Sequence, residues 1–224
     1  MSTTENAESV EAFISRWKDS TGSERANYQL FLMELVDLLD LPKADPASED
    51  TRDNAYVFER RVIIKKPDGS ESSGYIDLYK RGSFVLEAKQ SGLNLDSSGW
   101  DKAMLKAHNQ ADQYVRALPT DEGRPPFIIV TDVGRSIELY SEFSRSGATY
   151  TPYPDARSHR IGLEDLRKPE IQERLRKVWL QPLSLDPSRL SARVTRDIAD
   201  QLAKLAKSLE TSHGAQLVAD FMMR

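Results

Sequence analysis

Between Gly74 and Gln90 the sequence GYIDLYKRGSFVLEAKQ commits the chain to a β-hairpin inside a sheet. Phe84-Val85-Leu86 offers no polar position to either side, so the second strand should be covered on both faces, as central strands are. Side chains alternate across a strand, which puts Glu87 and Lys89 on one face and Leu86 and Ala88 on the other. A turn of three residues, Arg81-Gly82-Ser83, would pair Lys80 with Phe84 and set Asp77 opposite Glu87. Directly opposed residues have Cβ atoms roughly 4.5 to 5.5 Å apart. Two carboxylates at that separation repel unless a positive charge lies between them. Mg²⁺, which prefers oxygen and is held by one or two carboxylates plus substrate phosphate, meets that need. Charges that end a covered strand require a partner or a function.

The remaining chain supplies the elements that would enclose such a hairpin. Val10, Phe13, Ile14 and Trp17 recur at helical spacing over residues 5–20. A second helix over 24–39 carries Tyr28, Phe31, Leu32, Leu35, Leu38 and Leu39 as a broad apolar face, with Glu34 at its edge. Residues 41–52, rich in proline and acids, read as a loop. Tyr56 to Ile64 reads as a strand, and Lys66-Pro67-Asp68-Gly69-Ser70 as a turn. After a Gly/Ser/Asn loop at 91–99, the period predicts a helix over 100–118. Phe127 to Thr131 is an apolar run of buried-strand type. Asp132 to Arg135 turns into another strand, Ser136 to Tyr140, and residues 150–159 read as irregular.

The order helix, three strands, helix, strand predicts an α/β (α+β) fold, with an αβββαβ core and a mixed central sheet flanked by helices. A charged helical segment over 163–179 leads to Pro182 and Pro187, a linker. Another helix follows from Ser188 to about Ser212, and Ala215 to Met223 begins one more. The organisation expected is an N-terminal helix at 1–23, a main domain at 24–182 and the start of a helical spacer at 188–224. The last pattern breaks off at Arg224, so the chain reads as truncated.

Composition narrows the chemistry. The 224 residues contain no cysteine, which excludes disulfides, thiol nucleophiles and cysteine-ligated zinc. His108, His159 and His213 show no metal-ligand spacing. No apolar run approaches the roughly 18 residues of a membrane span, and the start lacks a signal-peptide pattern, so a cytoplasmic protein without a membrane partner is expected. A net charge of −4 does not advertise a nucleic-acid partner. Local fields can differ from net charge, however, and Arg60, Arg61, Lys65, Lys66, Lys80 and Arg81 fall near the hairpin.

The arrangement Gly74-Tyr75-Ile76-Asp77, nine residues, then Glu87-Ala88-Lys89 resembles the PD-(D/E)XK nuclease superfamily, with Ile76 in place of its proline. More narrowly it resembles the amino-terminal nuclease region of MmeI-type single-chain restriction-modification proteins. The resemblance implies a Mg²⁺-dependent DNA endonuclease, with Mn²⁺ able to substitute. Asp77, Glu87 and the Ala88 carbonyl would hold the metal, and Lys89 would position the attacking water. Glu34 would be the further acid that the first core helix often supplies. Gln110 and Tyr114, four apart on one helix face, resemble the Gln-x-x-x-Tyr element that holds the DNA backbone, and Gln90 is a further backbone candidate. Double-stranded DNA and further domains of the same polypeptide (spacer, methyltransferase, target recognition) are the implied partners. No Asn-Pro-Pro-Tyr/Phe motif and no glycine-rich cofactor loop occurs, so S-adenosylmethionine would be used only in a longer protein. The competing reading is a nuclease-fold module that binds DNA or a neighbouring domain without cutting.

Overall fold

A computed structural model describes residues 3–20, 24–95 and 97–213, and among these it resolves the periodicities into five α-helices and a seven-stranded mixed sheet. The helices are α1 (Thr3–Lys18), α2 (Glu24–Leu38), α3 (Ser98–Ala117), α4 (Pro169–Leu180) and α5 (Pro187–His213). The strands are β1 (Tyr56–Lys65), β2 (Glu71–Lys80), β3 (Phe84–Lys89), β4 (Phe127–Asp132), β5 (Ser136–Ser141), β6 (Thr151–Pro152) and β7 (Arg160–Gly162). The chain divides into two units, Met1–Pro182 and Leu183–Arg224. The helix expected over 215–223 lies outside the described residues.

In the first unit the strand order is β1-β2-β3-β4-β5-β6, with β7 also paired to β5. β3 lies inside the sheet, and Phe84 to Ala88 are buried, as the apolar run Phe84-Val85-Leu86 leads one to expect, with the charged Glu87 buried among them. The β2–β3 hairpin takes the three-residue turn: Lys80 pairs with Phe84, Tyr79 with Val85 and Leu78 with Leu86. β3 runs parallel to β4 through the α3 crossover. Long parallel connections leave the carboxyl ends of such strands open for ligands, and Glu87, Ala88 and Lys89 stand at that end of β3.

α3 covers one face. Trp100, Met104, Ala107, Ala111, Tyr114 and Val115 pack with Tyr79, Val85, Ile128 and Val130 in one apolar cluster. Its amino terminus is capped by Ser97, whose side chain accepts from the Trp100 N–H. α2 and α4 also pack on the sheet: α2 contacts β3, and the Trp179 ring of α4 lies 4.4 Å from Phe84. α1 joins the same unit through Phe13 and Trp17, whose rings sit 5.3 and 5.1 Å from Phe31 of α2.

Three features depart from the sequence reading. The stretch at 150–159 contributes the short strand β6, and β7 follows it, both annealed to β5. Their few residues carry too little alternation to be read as strands. The helix expected over 163–179 is broken at Lys168: Leu163–Arg167 is a 3₁₀ turn, and Pro169 opens α4 at a position where its missing N–H costs nothing. A 3₁₀ turn at Thr120–Glu122 was not foreseen.

In the second unit α5 presents Leu190, Val194, Ile198, Leu202 and Leu205 as an exposed apolar stripe. Among the described residues no helix is long and apolar enough to cross a membrane.

Candidate active site

The ladder between β2 and β3 stops at Leu78 and Leu86, and the Asp77 side chain takes over. Its Oδ2 accepts the Ala88 N–H at 2.7 Å. That bond holds the Asp77 carboxylate against the Glu87-Ala88 peptide, as the three-residue turn requires. Glu87 is only 1% exposed. Its Oε1 accepts from Lys89 Nζ at 2.7 Å, while its Oε2 is buried with no partner among the described residues. Buried acceptors normally have a partner, and this oxygen, near a second carboxylate, has the chemistry to ligate a cation.

The electrostatics follow the geometry. Burial raises the Asp77 pKa to about 6, with Glu59 and Glu24 adding to the effect and the Ala88 N–H and Lys89 opposing it. Burial and the Asp77 charge likewise raise Glu87, against the pull of Lys89. Burial alone would depress Lys89. The surrounding carboxylates of Glu87, Glu24 and Asp77 outweigh it and hold the ammonium above its ordinary value.

Two acids at this site were missed in the sequence. Glu24, at the start of α2, lies 3.8 Å from Lys89 Nζ and accepts the Gln90 N–H at 3.3 Å. Glu59 sits between the pairs Phe58–Leu78 and Arg60–Ile76, hence across from Asp77. Its backbone is left-handed, with φ of 52°, and its carboxylate accepts from the Tyr28 hydroxyl. Such a conformation is costly for a residue with a Cβ and concentrates at functional sites. The β1–β2 turn could have disclosed Glu59, because a five-residue link between Lys65 and its partner Glu71 fixes the register. Nothing in the sequence singled out Glu24.

Glu34 is not brought to the site. It accepts from Trp17 Nε1 at 2.8 Å and pairs with Arg16 at 3.1 Å. The reason is distance along α2: ten residues separate it from Glu24, about 15 Å at 1.5 Å per residue. Gln90 is engaged within the fold, its side chain donating to Ser20 and accepting from Asn27. Ala88 is fully buried.

Gln110 Nε2 donates to the Tyr114 hydroxyl at 2.9 Å; burial raises that hydroxyl's pKa against the Gln110 bond, and the Glu87 and Asp77 charges add to the rise. Tyr114 is itself buried against Gly74: a Cβ on Gly74 would lie 2.5 Å from its ring. The glycine of the hairpin motif is therefore a spatial requirement of the tyrosine.

The basic cluster divides. Arg60 is 1% exposed and pairs with Glu122 at 2.6 Å, and Arg81 reaches the same carboxylate at 3.3 Å. Lys80 lies over the Tyr56 ring. Only Arg61, Lys65 and Lys66 stay exposed, on β1 and its turn.

Among the described residues no three His, Cys, Asp or Glu side chains form a ready-made metal cage. The donors on offer are the Asp77–Glu87 pair, with the orphaned Glu87 oxygen between burial and bonding, and these fit a hard divalent cation that keeps waters of its own.

The family model "MmeI, N-terminal domain" matches residues 5–212. No curated protein and no solved structure matches the chain.

Proposed function

The chain belongs to the family of the MmeI N-terminal domain, and from that premise together with the site geometry we propose that it is the nuclease part of a restriction-modification protein. It would be a PD-(D/E)XK-type, Mg²⁺-dependent endonuclease domain that hydrolyses phosphodiester bonds of double-stranded DNA. The observation that carries the reading is the Asp77 carboxylate fixed on the Ala88 N–H, next to a buried Glu87 oxygen without a partner among the described residues. Asp77, Glu87 and the Ala88 carbonyl would hold the cation. Bound there, Mg²⁺ supplies Lewis-acid polarisation of the scissile phosphate and a lowered pKa for water.

The chain's own groups do the rest. Lys89, held by Glu87, orients the attacking water and meets charge developing on the phosphate. Burial around Glu87 strengthens each of these interactions, because the local dielectric is low. Gln110 and Tyr114 brace β2 beneath Gly74 and would face the DNA backbone. Target recognition and S-adenosylmethionine-dependent methylation would belong to further domains of the same polypeptide.

The test is a pair of measurements on the chain and its Asp77→Asn variant. Mg²⁺ or Mn²⁺ should raise the melting temperature of the parent by ligand linkage, and the parent should nick supercoiled plasmid. The variant should lose both responses. Equal responses of the two proteins to metal would refute the site. A metal response without cleavage under any condition would favour a DNA-binding or domain-docking module instead.

A further inference from the structure

β1 is the edge strand of the sheet, and between it and the carboxyl-terminal half of α3 runs a groove of about 860 Å³. Arg61, Lys65, Arg116, Arg124 and the buried Arg60 line it, against a single acid, Glu49. Arg60 and Arg116 are matched by Glu122 and Asp112. The others are not. Arg61 donates to the Ser73 hydroxyl, Arg124 donates to the Leu118 and Arg116 carbonyls, and Lys65 is exposed; none of the three pairs with a carboxylate among the described residues. In a chain of net charge −4, this is a local excess of positive charge in a concave surface.

The groove also adjoins the candidate site. Val62, on its wall, pairs with Gly74, which lies against the Tyr114 ring three residues before Asp77 on β2. The site itself collects more carboxylates, Asp77, Glu87 and Glu24, than Lys89 can neutralise and would repel an approaching phosphate, so an anchor outside it is required.

We propose that this groove holds the sugar–phosphate backbone of a DNA strand flanking the bond to be cut, with Arg61, Lys65 and Arg124 as the phosphate contacts. The proposal rests on the nuclease reading for the direction of the strand, not for its charge chemistry. A polypeptide strand adding to the β1 edge is the competing occupant. Asp45 already occupies the edge at Val57, and Arg61 and Lys65 are the kind of edge charges that deter strand pairing.

The experiment compares the parent chain with the double variant Arg61→Glu/Lys65→Glu. Both side chains are exposed, so the fold should persist, and a melting curve verifies it. Fluorescence anisotropy with several unrelated duplexes in Ca²⁺, over a range of salt concentrations, reads affinity and salt slope. Removing two phosphate contacts should lower affinity at least tenfold at low salt and flatten the slope of log K against log salt by about 2. Metal-induced thermal stabilisation should be unchanged, since neither residue touches the carboxylates. Parental affinity and slope in the double variant would overturn the proposal and leave the groove to a peptide strand. A parent that binds no duplex would overturn it as well. A parent that binds but does not cut, with the variant weakened, would sustain the groove and refute only the nuclease reading.

Discussion

The two ends of the β2–β3 hairpin carry opposite charge balances. At the turn end a single acid, Glu122, lies between Arg60 and Arg81 and also accepts from the Tyr79 hydroxyl at 2.7 Å. Arg60 further donates to the Asn54 carbonyl and lies over the Tyr79 ring. At the open end Lys89 pairs with Glu87 and Glu24, while Asp77, bonded to the Ala88 N–H, and Glu59, across from it on β1, add two more acids. Arg60 at the first end and Glu87 at the second are each 1% exposed, so unpaired charge there is expensive. The first is closed by groups of its own chain, which marks it as structural. The second is short of positive charge, and a cation from outside would complete it.

Glu122→Ala tests the closed end and should have the largest effect on stability. It leaves the buried Arg60 without its carboxylate, which costs about 3–5 kcal/mol. Urea unfolding should show that loss, while the remaining folded protein keeps its thermal response to Mg²⁺. A loss of the metal response in protein that remains folded would mean the two ends are coupled, and the contrast would fail.

Lys89→Ala tests the open end. It removes the cation that Glu87 and Glu24 share but no metal ligand, so cleavage should fall by roughly two to three orders of magnitude, the scale of one preorganised donor. Divalent metal should bind at least as well as before. Parental cleavage rates would make Lys89 a solvated lysine and return the site to the non-cutting reading.

The asymmetry between the ends also explains what could be read from the sequence. The hairpin was legible because three constraints coincide: an apolar run, period-two alternation and a turn that permits one register. The bond from Ala88 to Asp77 sits where that register puts the two acids face to face. Groups contributed by sequence-distant elements were not legible. Glu122 comes from a 3₁₀ turn, and Glu24 and Glu34 differ only by ten residues along a helix whose rotation and tilt are set by packing. Arg60 and Arg81 could not be told apart from the other basic residues near the hairpin, because the sequence does not reveal which cations find a buried acid. Gln110 and Tyr114 were placed on one face correctly by spacing. That Tyr114 needs Gly74 beneath it became visible only in three dimensions.

Gly74→Ala should have a smaller effect, and it reaches the site from its support. The added methyl group meets the Tyr114 ring at a distance real contacts do not reach, and Gln110 restricts the ring's retreat. Overpacking of this kind costs about 1–3 kcal/mol. The melting temperature should drop by several degrees, and cleavage should weaken as the start of β2 shifts. An unaltered melting temperature would show that Tyr114 moves freely and does not brace the strand.

The smallest effect concerns pH in the absence of metal. Asp77 has a raised pKa of about 6 in the folded chain and about 4 when unfolded. The folded state therefore binds the proton more tightly. Its contribution to stability is complete below pH 4 and is lost as pH rises through about 6. Asp77→Asn keeps an acceptor for the Ala88 N–H but never ionises, so it should be spared this loss. With EDTA present, the parent should become less stable relative to the variant between pH 5 and pH 7.5. One pKa unit corresponds to about 1.4 kcal/mol, and with Asp77 only partly buried the change should be on the order of 1 kcal/mol, a few degrees in melting temperature. Mg²⁺ should reverse the trend, because its ligands must give up their protons before they coordinate. A parent–variant difference that is flat with pH, with and without metal, would mean that Asp77 titrates as a solvated carboxylate and that the open end of the hairpin has no charge deficit to fill.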